Sequence, residues 1–477
     1  LAINEKICYV KNPHLKPRVV RALLKKDMKK RIVILGSGES GTGAALLAKH
    51  LGFDVFVSDK GIIAPAYKAE LDAAGIAWEE GQHTLPKILK AKEIIKSPGI
   101  PEKTEVMQAV RAAGINVIGE IEFGYRYAGK CQIVAITGSN GKTTTTMLTY
   151  HLLKTAGLDV RMGGNVGNSF ARMALDDLKN RVTKNGQRIF VLEVSSFQLD
   201  DIQRFRPKIA MLLNITPDHL DRYEYQLEKY AAAKFRVTMN QRRGDKFIYN
   251  GFDPVVKAGL DRLTSNQPAH QARRAAIRKG FFKNGQIKVG KSSFTMAKSA
   301  LRGPHNMFNT ACAIRAALLL KADAAKIQAG LDTFVTPPHR LERVAEIGGV
   351  TYINDSKATN VDSVFYALQA MDTPTVWIAG GTDKGNDYAP IFKLVRKKVK
   401  AIVCMGLDNS KIVKAFKKMR KPTVETRSAI EAVQAATRLA EKGDTVLLSP
   451  ACASFDLFKN YEDRGAQFRE AVLRLKN

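Results

Sequence analysis

The sequence predicts an α/β protein of three consecutive domains, and three observations predict it. Short apolar strands alternate with helical stretches along the chain, that alternation restarts twice, and glycine-rich turns follow the opening strands of the first two runs. A length of 477 residues exceeds the size at which one hydrophobic core stops growing, so several domains are expected.

The first run places strands at Arg31–Leu35, Asp54–Ser58 and Glu93–Lys96, with a helix after Gly41 and another near residues 64–74, the pattern of βαβ units on a parallel sheet. Gly36-Ser37-Gly38-Glu39-Ser40-Gly41 follows the first strand and Asp59 ends the second. This fits a dinucleotide fingerprint, and equally the diphosphate and uridine of a sugar nucleotide. The second run starts with a strand at 132–137 and continues with strands at 188–194 and 209–215. Residues 265–294 are polar, basic and poorly periodic, and read as an exposed loop or peripheral hairpin. Thr336-Pro337-Pro338 makes a linker. The third run has strands at 350–353, 375–379, 401–405 and 445–448. The divisions are a basic extension at 1–27, then domains at 28–126, 127–336 and 337–477: a Rossmann-like first domain, a central P-loop-type ATPase domain with a mostly parallel sheet, and a Rossmann-like third domain.

Composition narrows the function. Hydrophobic residues at 45% and charged ones at 25% are ordinary for a globular protein, and no apolar run approaches a membrane span. Five scattered cysteines without a C-x-x-C pair suggest neither a disulfide framework nor a zinc site, and fit a reducing cytoplasm. The formal net charge of +31 invites a nucleic-acid reading, yet the basic residues are spread along the whole chain with no nucleic-acid motif beside them. They read as a solvated surface that attracts polyanionic small substrates. Residues 1–27 lack a long apolar stretch, so no signal peptide is expected, and Met28 stands just ahead of the first strand as an alternative start.

The strongest motif is Thr137-Gly138-Ser139-Asn140-Gly141-Lys142-Thr143-Thr144, which follows a strand and opens a helix. Glycines let backbone N–H groups and the helix N-terminus face phosphates, Lys142 would neutralise the β/γ-phosphates, and Thr143 would ligate Mg²⁺. Only two residues separate Gly138 from Gly141, against four in the common nucleotide-triphosphatase loop. Glu193 ends one neighbouring strand, and Asn214-Ile215-Thr216-Pro217-Asp218-His219 ends the next. Both therefore reach the C-terminal sheet edge, where such folds bind ligands. Glu193 and His219 are candidate metal ligands. From the residues alone Lys234 is a helical surface lysine.

These motifs, together with Gly163-Gly164-Asn165-Val166-Gly167, His305-Asn306, Pro338-His339-Arg340, Asn354-Asp355-Ser356-Lys357-Ala358-Thr359-Asn360 and Ser449-Pro450-Ala451-Cys452-Ala453-Ser454-Phe455-Asp456, resemble the Mur ligase family in content and order over about residues 31–477. The segments from Asn354 and from Ser449 to Arg464 resemble the members that add D-glutamate to UDP-N-acetylmuramoyl-L-alanine. The resemblance implies an ATP-dependent ligase of cell-wall precursor synthesis with ATP and two Mg²⁺ ions, cytoplasmic and monomeric, with no nucleic-acid partner. It assigns Gly38, Glu39, Ser40, Asp59, Ser97, Pro98, Gly99, Asn165, Ser195 and Gln198 to the UDP substrate. ATP falls to Gly138, Ser139, Asn140, Gly141, Lys142, Thr143, Thr144, Asn309, Arg340 and Asp355. Lys357, Thr359, Lys384, Ser454 and Tyr461 fall to D-glutamate; Tyr461 stands where the family commonly has Phe, adding a hydroxyl.

By the same resemblance Thr143, Glu193 and His219 hold metal, Lys234 as a carbamate supports a second ion, and Lys142, His219 and Lys234 are the catalytic set. The implied reaction activates a carboxylate by phosphorylation before an amine displaces phosphate. Another Mur or folylpolyglutamate-type ligase is the nearest alternative. An NAD-dependent dehydrogenase and a basic nucleic-acid-binding NTPase are the remoter ones.

Overall fold

The computed structural model describes residues 30–180, 188–266, 273–383 and 385–476. The extension at 1–27 and Lys384 lie outside them. The described chain forms two compact units, one of residues up to 146 with 157–278, the other of 147–156 with 279 onward.

The first unit contains two parallel sheets. β1 to β5 (Arg31–Leu35, Asp54–Ser58, Ala77–Glu79, Glu93–Lys96, Asn116–Gly119) take the order β3-β2-β1-β4-β5, a doubly wound arrangement whose switch point lies beside β1. β6 to β11 (Cys131–Thr137, Val160–Gly164, Arg188–Glu193, Ile209–Leu212, Lys246–Asn250, Arg273–Ile277) take the order β11-β10-β9-β6-β8-β7, all parallel. Val33, Ile34, Leu35 and Val134 to Ile136 are buried, as expected of strands covered on both faces.

Two sequence expectations are corrected in this unit. The first helix starts at Glu39, ahead of Gly41, so Gly41 lies within it, where an added Cβ would stand 1.9 Å from the Gly36 carbonyl oxygen. Glycine is required there for the close approach of helix and loop, independently of any ligand. β9 stops at Leu212 rather than 215 because Asn214 leaves the ladder to brace a neighbouring loop.

The helix Phe170–Lys179 joins the two sheets' cores: Ala171, Ala174 and Leu175 pack with Ile32, Leu47 and Phe123. Its N-terminus meets Glu120, whose Oε1 accepts the Ala171 N–H. Burial pushes the Glu120 carboxyl up to about 8, only partly offset by the amides of Ala171 and Phe170. The folded protein therefore keeps a proton that the unfolded chain releases above its ordinary value of 4.5, so stability should fall as pH rises from there through about 8. Thermal melts of Glu120→Gln are expected to match the wild type near the low end of this window and to gain on it towards the high end. A constant difference across the window would refute this.

The second unit carries the antiparallel sheet β12-β13-β14 (Phe282–Lys283, Gln286–Val289, Ser292–Thr295) and the sheet β15-β16-β20-β17-β18-β19. The latter comprises Glu342–Ile347, Val350–Asn354, Thr375–Gly380, Val399–Met405, Thr423–Thr426 and Thr445–Ala451, with β15 antiparallel at one edge. Of the two expectations for residues 265–294, the hairpin holds for the described part: β12 to β14 form an antiparallel sheet in which Ile287, Val289 and Phe294 are buried, while β11 extends the main sheet of the first unit. Helices from Val361 to Phe416 pack on one face of the large sheet and those from Ala429 to Arg474 on the other.

Candidate active site

The phosphate loop leaves β6 at Gly138, whose φ of 154° and close approach to Leu213 Cβ, 3.0 Å from a would-be side chain, suit glycine. Asn214 holds its shape: its Oδ1 accepts the Asn140 N–H at 2.8 Å, its Nδ2 donates to the Asn140 carbonyl at 3.0 Å, and its own carbonyl accepts the Ser139 N–H. Ser139 Oγ both donates to the Thr216 carbonyl and accepts the Thr216 N–H, at 2.9 Å each. Thr144 is buried in the first turn of the helix Lys142–Thr155. Asn214 was not among the predicted residues; its place two residues past β9, in the segment that carries His219, was the available signal.

Around this loop the predicted residues converge. Lys142 Nζ donates to the Gly138 and Ser139 carbonyls, both at 2.8 Å. Lys234 Nζ reaches the same Gly138 oxygen at 2.8 Å and lies 4.4 Å from the centroid of the Tyr230 ring. Burial pulls the Lys234 amine well below the ordinary lysine range, and Lys142 nearby adds to the shift. The expectation of a surface lysine from the residues alone is overturned: Lys234 is 1% exposed. Thr143 Oγ1 donates to Glu193 Oε2 at 2.7 Å, and Asn165 Nδ2 donates to Glu193 Oε1 at 2.9 Å. His219 sits in a left-handed turn at φ 51°, half exposed, its ring against Phe197 at 5.3 Å. Among the described residues no three His, Cys, Asp or Glu side chains gather as a preassembled metal cage. The hydroxyl–carboxylate pair of Thr143 and Glu193 nevertheless suits a hard cation that keeps several waters.

A cavity of about 410 Å³ opens at the switch point of the first sheet. Gly38, Glu39, Ser40, Asp59, Ser97, Pro98, Asn165 and Gln198 line it, together with Lys60 and His83, which sequence reasoning missed; Gly99 and Ser195 are not part of its wall. Asp59 Oδ2 accepts the N–H and the hydroxyl of Ser37 at 2.7 Å each, and Oδ1 accepts the Gly61 N–H. Burial works against its charge, but these bonds outweigh it and hold the carboxyl below its usual value. Glu39 Oε1 accepts from Arg172 Nε and from the Ser169 N–H. Ser195 and Gln198 form a capping box on the helix Ser196–Asp200, so part of their hydrogen-bonding capacity is structural.

In the second unit Arg340 lies between two left-handed residues, His339 and Leu341, and the Leu341 N–H donates to Asp355 Oδ1. Asp355 also accepts from Ser449 Oγ at 2.9 Å, and burial pushes its carboxyl up to about 7. Asn309 is buried on the helix Pro304–Leu319. Lys357 Nζ lies 3.5 Å from the Tyr461 ring centroid, Thr359 sits on the same loop, and Ser454 is buried beyond β20. Sequence reasoning missed the role of Arg464, a buried guanidinium that donates to the Ser356 carbonyl and hydroxyl and to the Cys452 carbonyl, tying together the two segments that carry Lys357 and Ser454.

Three family models match in series: the Mur ligase MurD-like N-terminal domain over residues 30–119, the Mur ligase middle domain over 136–317, and the Mur ligase glutamate ligase domain over 339–452. The chain belongs to the Mur ligase family. Among curated Mur ligases it resembles the UDP-N-acetylmuramoylalanine--D-glutamate ligase of Christiangramia forsetii, 50% identical over 457 residues, covering 94% of this chain and 100% of the relative. The protein of the same name from Cytophaga hutchinsonii is 48% identical over 460 residues, with the same coverage. In fold it resembles the UDP-N-acetylmuramate-alanine ligase of Thermotoga maritima, with a TM-score of 0.58 at 17% identity, covering 93% of this chain and 99% of that one. A Mur ligase is an ATP-dependent ligase, and the phosphate loop lies within the stretch that the middle-domain model matches. The dehydrogenase and nucleic-acid readings end here.

Proposed function

We propose that this Mur ligase joins D-glutamate to UDP-N-acetylmuramoyl-L-alanine through an acyl phosphate, releasing ADP and phosphate, as a cytoplasmic monomer supplying peptidoglycan precursors. The observation that carries the reading is the identity of about half of all residues, along 94% of the chain, to relatives named for that reaction. We further assign residues 28–126 to the UDP substrate, 127–336 to ATP and 337–477 to the amino acid. No helix among the described residues is long and apolar enough to cross a membrane.

A carboxylate reacts poorly with an amine because resonance stabilises it and oxide is a poor leaving group. In the proposed first step the substrate carboxylate attacks the γ-phosphate, so the protein must above all offset negative charge and hold the reactants in line. Lys142, now resting on its own loop's carbonyls, moves to the β/γ-phosphates. Thr143 and Glu193 would hold Mg²⁺, which neutralises phosphate charge and orients it when bound. Burial depresses the basicity of Lys234 and so favours the neutral, nucleophilic amine, which can add to CO₂ with loss of a proton and become an anionic carbamate. That anion, with His219, would hold a second ion. We assign Asn309, Arg340 and Asp355 to the nucleotide as well. Lys357, Lys384, Thr359, Ser454 and Tyr461 receive D-glutamate, whose amine attacks the acyl phosphate and expels phosphate.

Phosphate release from ATP should require UDP-N-acetylmuramoyl-L-alanine and D-glutamate together, with L-glutamate, D-alanine and diaminopimelate giving background. Equal release with any of these would overturn the choice of D-glutamate.

A further inference from the structure

We infer that Arg222 is a positioning residue: it locks the substrate loop 97–100 to the catalytic edge of the central sheet and so sets where the substrate carboxylate stands relative to the phosphate loop. The inference rests on the ligase reading above and adds a role to a residue outside the predicted site.

The loop follows β4 and contributes Ser97, Pro98 and Ile100 to the cavity wall. Central-domain side chains hold it from two directions. At its base Lys96, 4% exposed, pairs with Asp201 at 3.0 Å. At its crown Arg222 Nη1 donates to the Gly99 carbonyl at 3.2 Å, and Nη2 lies 3.3 Å from the Pro98 carbonyl and 3.5 Å from that of Ile100. A planar fork with several donors can address neighbouring carbonyls at once, which an ammonium group on a flexible stem does less well.

The same guanidinium lies 4.5 Å from the centroid of the Phe197 ring, over its face. Phe197 precedes Gln198, which lines the cavity, and packs against His219. Arg222 also follows His219 by three residues, within the short turn Leu220–Tyr223. One side chain therefore connects the substrate loop to the segments after β8 and β9, which deliver Gln198 and His219 and adjoin Glu193 at the end of β8. The ordinary account, an interdomain contact that only adds stability, is already served by the buried Lys96–Asp201 pair and by the core shared along the helix Phe170–Lys179. What Arg222 adds is a fixed position for three consecutive carbonyls at the cavity rim.

The consequence is kinetic. In-line attack tolerates little displacement, and a misplacement of about 1 Å can cost about 10²-fold in rate. With D-glutamate, ATP and UDP-N-acetylmuramoyl-L-alanine, Arg222→Ala is expected to lower kcat roughly 10- to 100-fold. KM for ATP should stay within about threefold, because the phosphate loop is braced independently by Asn214, while KM for the UDP substrate rises. Arg222→Lys should recover part of kcat, and the melting temperatures of both variants should stay close to that of the wild type. Unchanged kcat in Arg222→Ala would overturn the inference. So would a loss of kcat that tracks a fall in melting temperature and is not relieved in Arg222→Lys, since that is the pattern of a stability contact. If the wild type itself is inactive with D-glutamate, the substrate reading fails instead, and the Arg222 comparison is made with whichever amino acid supports phosphate release.

Discussion

Lys142→Ala is expected to lower ATP-dependent phosphate release by about 10³-fold, in line with the loss of a preorganised charge aimed at developing phosphoryl charge. The ammonium is the group the loop supplies to an anion attacking a polyanion, and its bonds to the Gly138 and Ser139 carbonyls keep it at the loop mouth before nucleotide arrives. The loop itself does not depend on Lys142, since Asn214, Thr216 and Ser139 brace it from the β9 side. Alanine is also the best helix former, so the first turn survives. The variant should melt with the wild type while its kcat collapses, and activity within tenfold of the wild type would remove Lys142 from the mechanism.

The second large effect is expected at Lys234. Lys234→Met keeps most of the buried volume and removes the nitrogen, so packing around Tyr230 and Phe235 is largely kept while a carbamate becomes impossible. A loss of roughly 10²-fold or more is expected, judged against the loss of a single group that holds charge in place in a dry site. Acetate or formate, small carboxylates that fit the space left in Lys234→Ala, should return part of the activity. Stripping CO₂ from the buffer should slow the wild type and leave Lys234→Met unaffected. A fully active methionine variant, or a wild type indifferent to CO₂, would show that the amine serves only to hold the Gly138 carbonyl.

The sequence was most legible where burial is two-sided. β1, β6, β8 and β17 are mostly apolar runs because helices cover both faces, and their shortness between turn signals favours strands over helices. β3 is only 3 residues long, and β7 ends in glycines, so neither carries a pattern. β13 does alternate, with Gln286 and Lys288 exposed and Ile287 and Val289 buried, but 4 residues among many cations obscure a period of two. The site divides in the same way. Lys142 and Thr143 are legible because a strand end, a glycine turn and a helix start are written in consecutive residues, and Glu193 because it ends an apolar strand run. Lys234 and Arg464 look like surface cations in sequence, since nothing local records that distant strands will enclose them. Asn214 and Arg222 act through backbone groups of other segments, and a backbone partner leaves no mark on residue type.

The helix Phe170–Lys179 has a consequence for how modular this chain is. Its apolar face completes the core of the first sheet although it lies within the second domain's stretch of sequence. A chain severed near residue 126 would leave Ala171, Ala174 and Leu175 on one fragment and Ile32, Leu47 and Phe123 on the other, two greasy surfaces made for each other. The seam visible in the sequence is therefore a poor place to cut. A grafted or swapped N-terminal module would have to carry this helix with it to remain soluble alone.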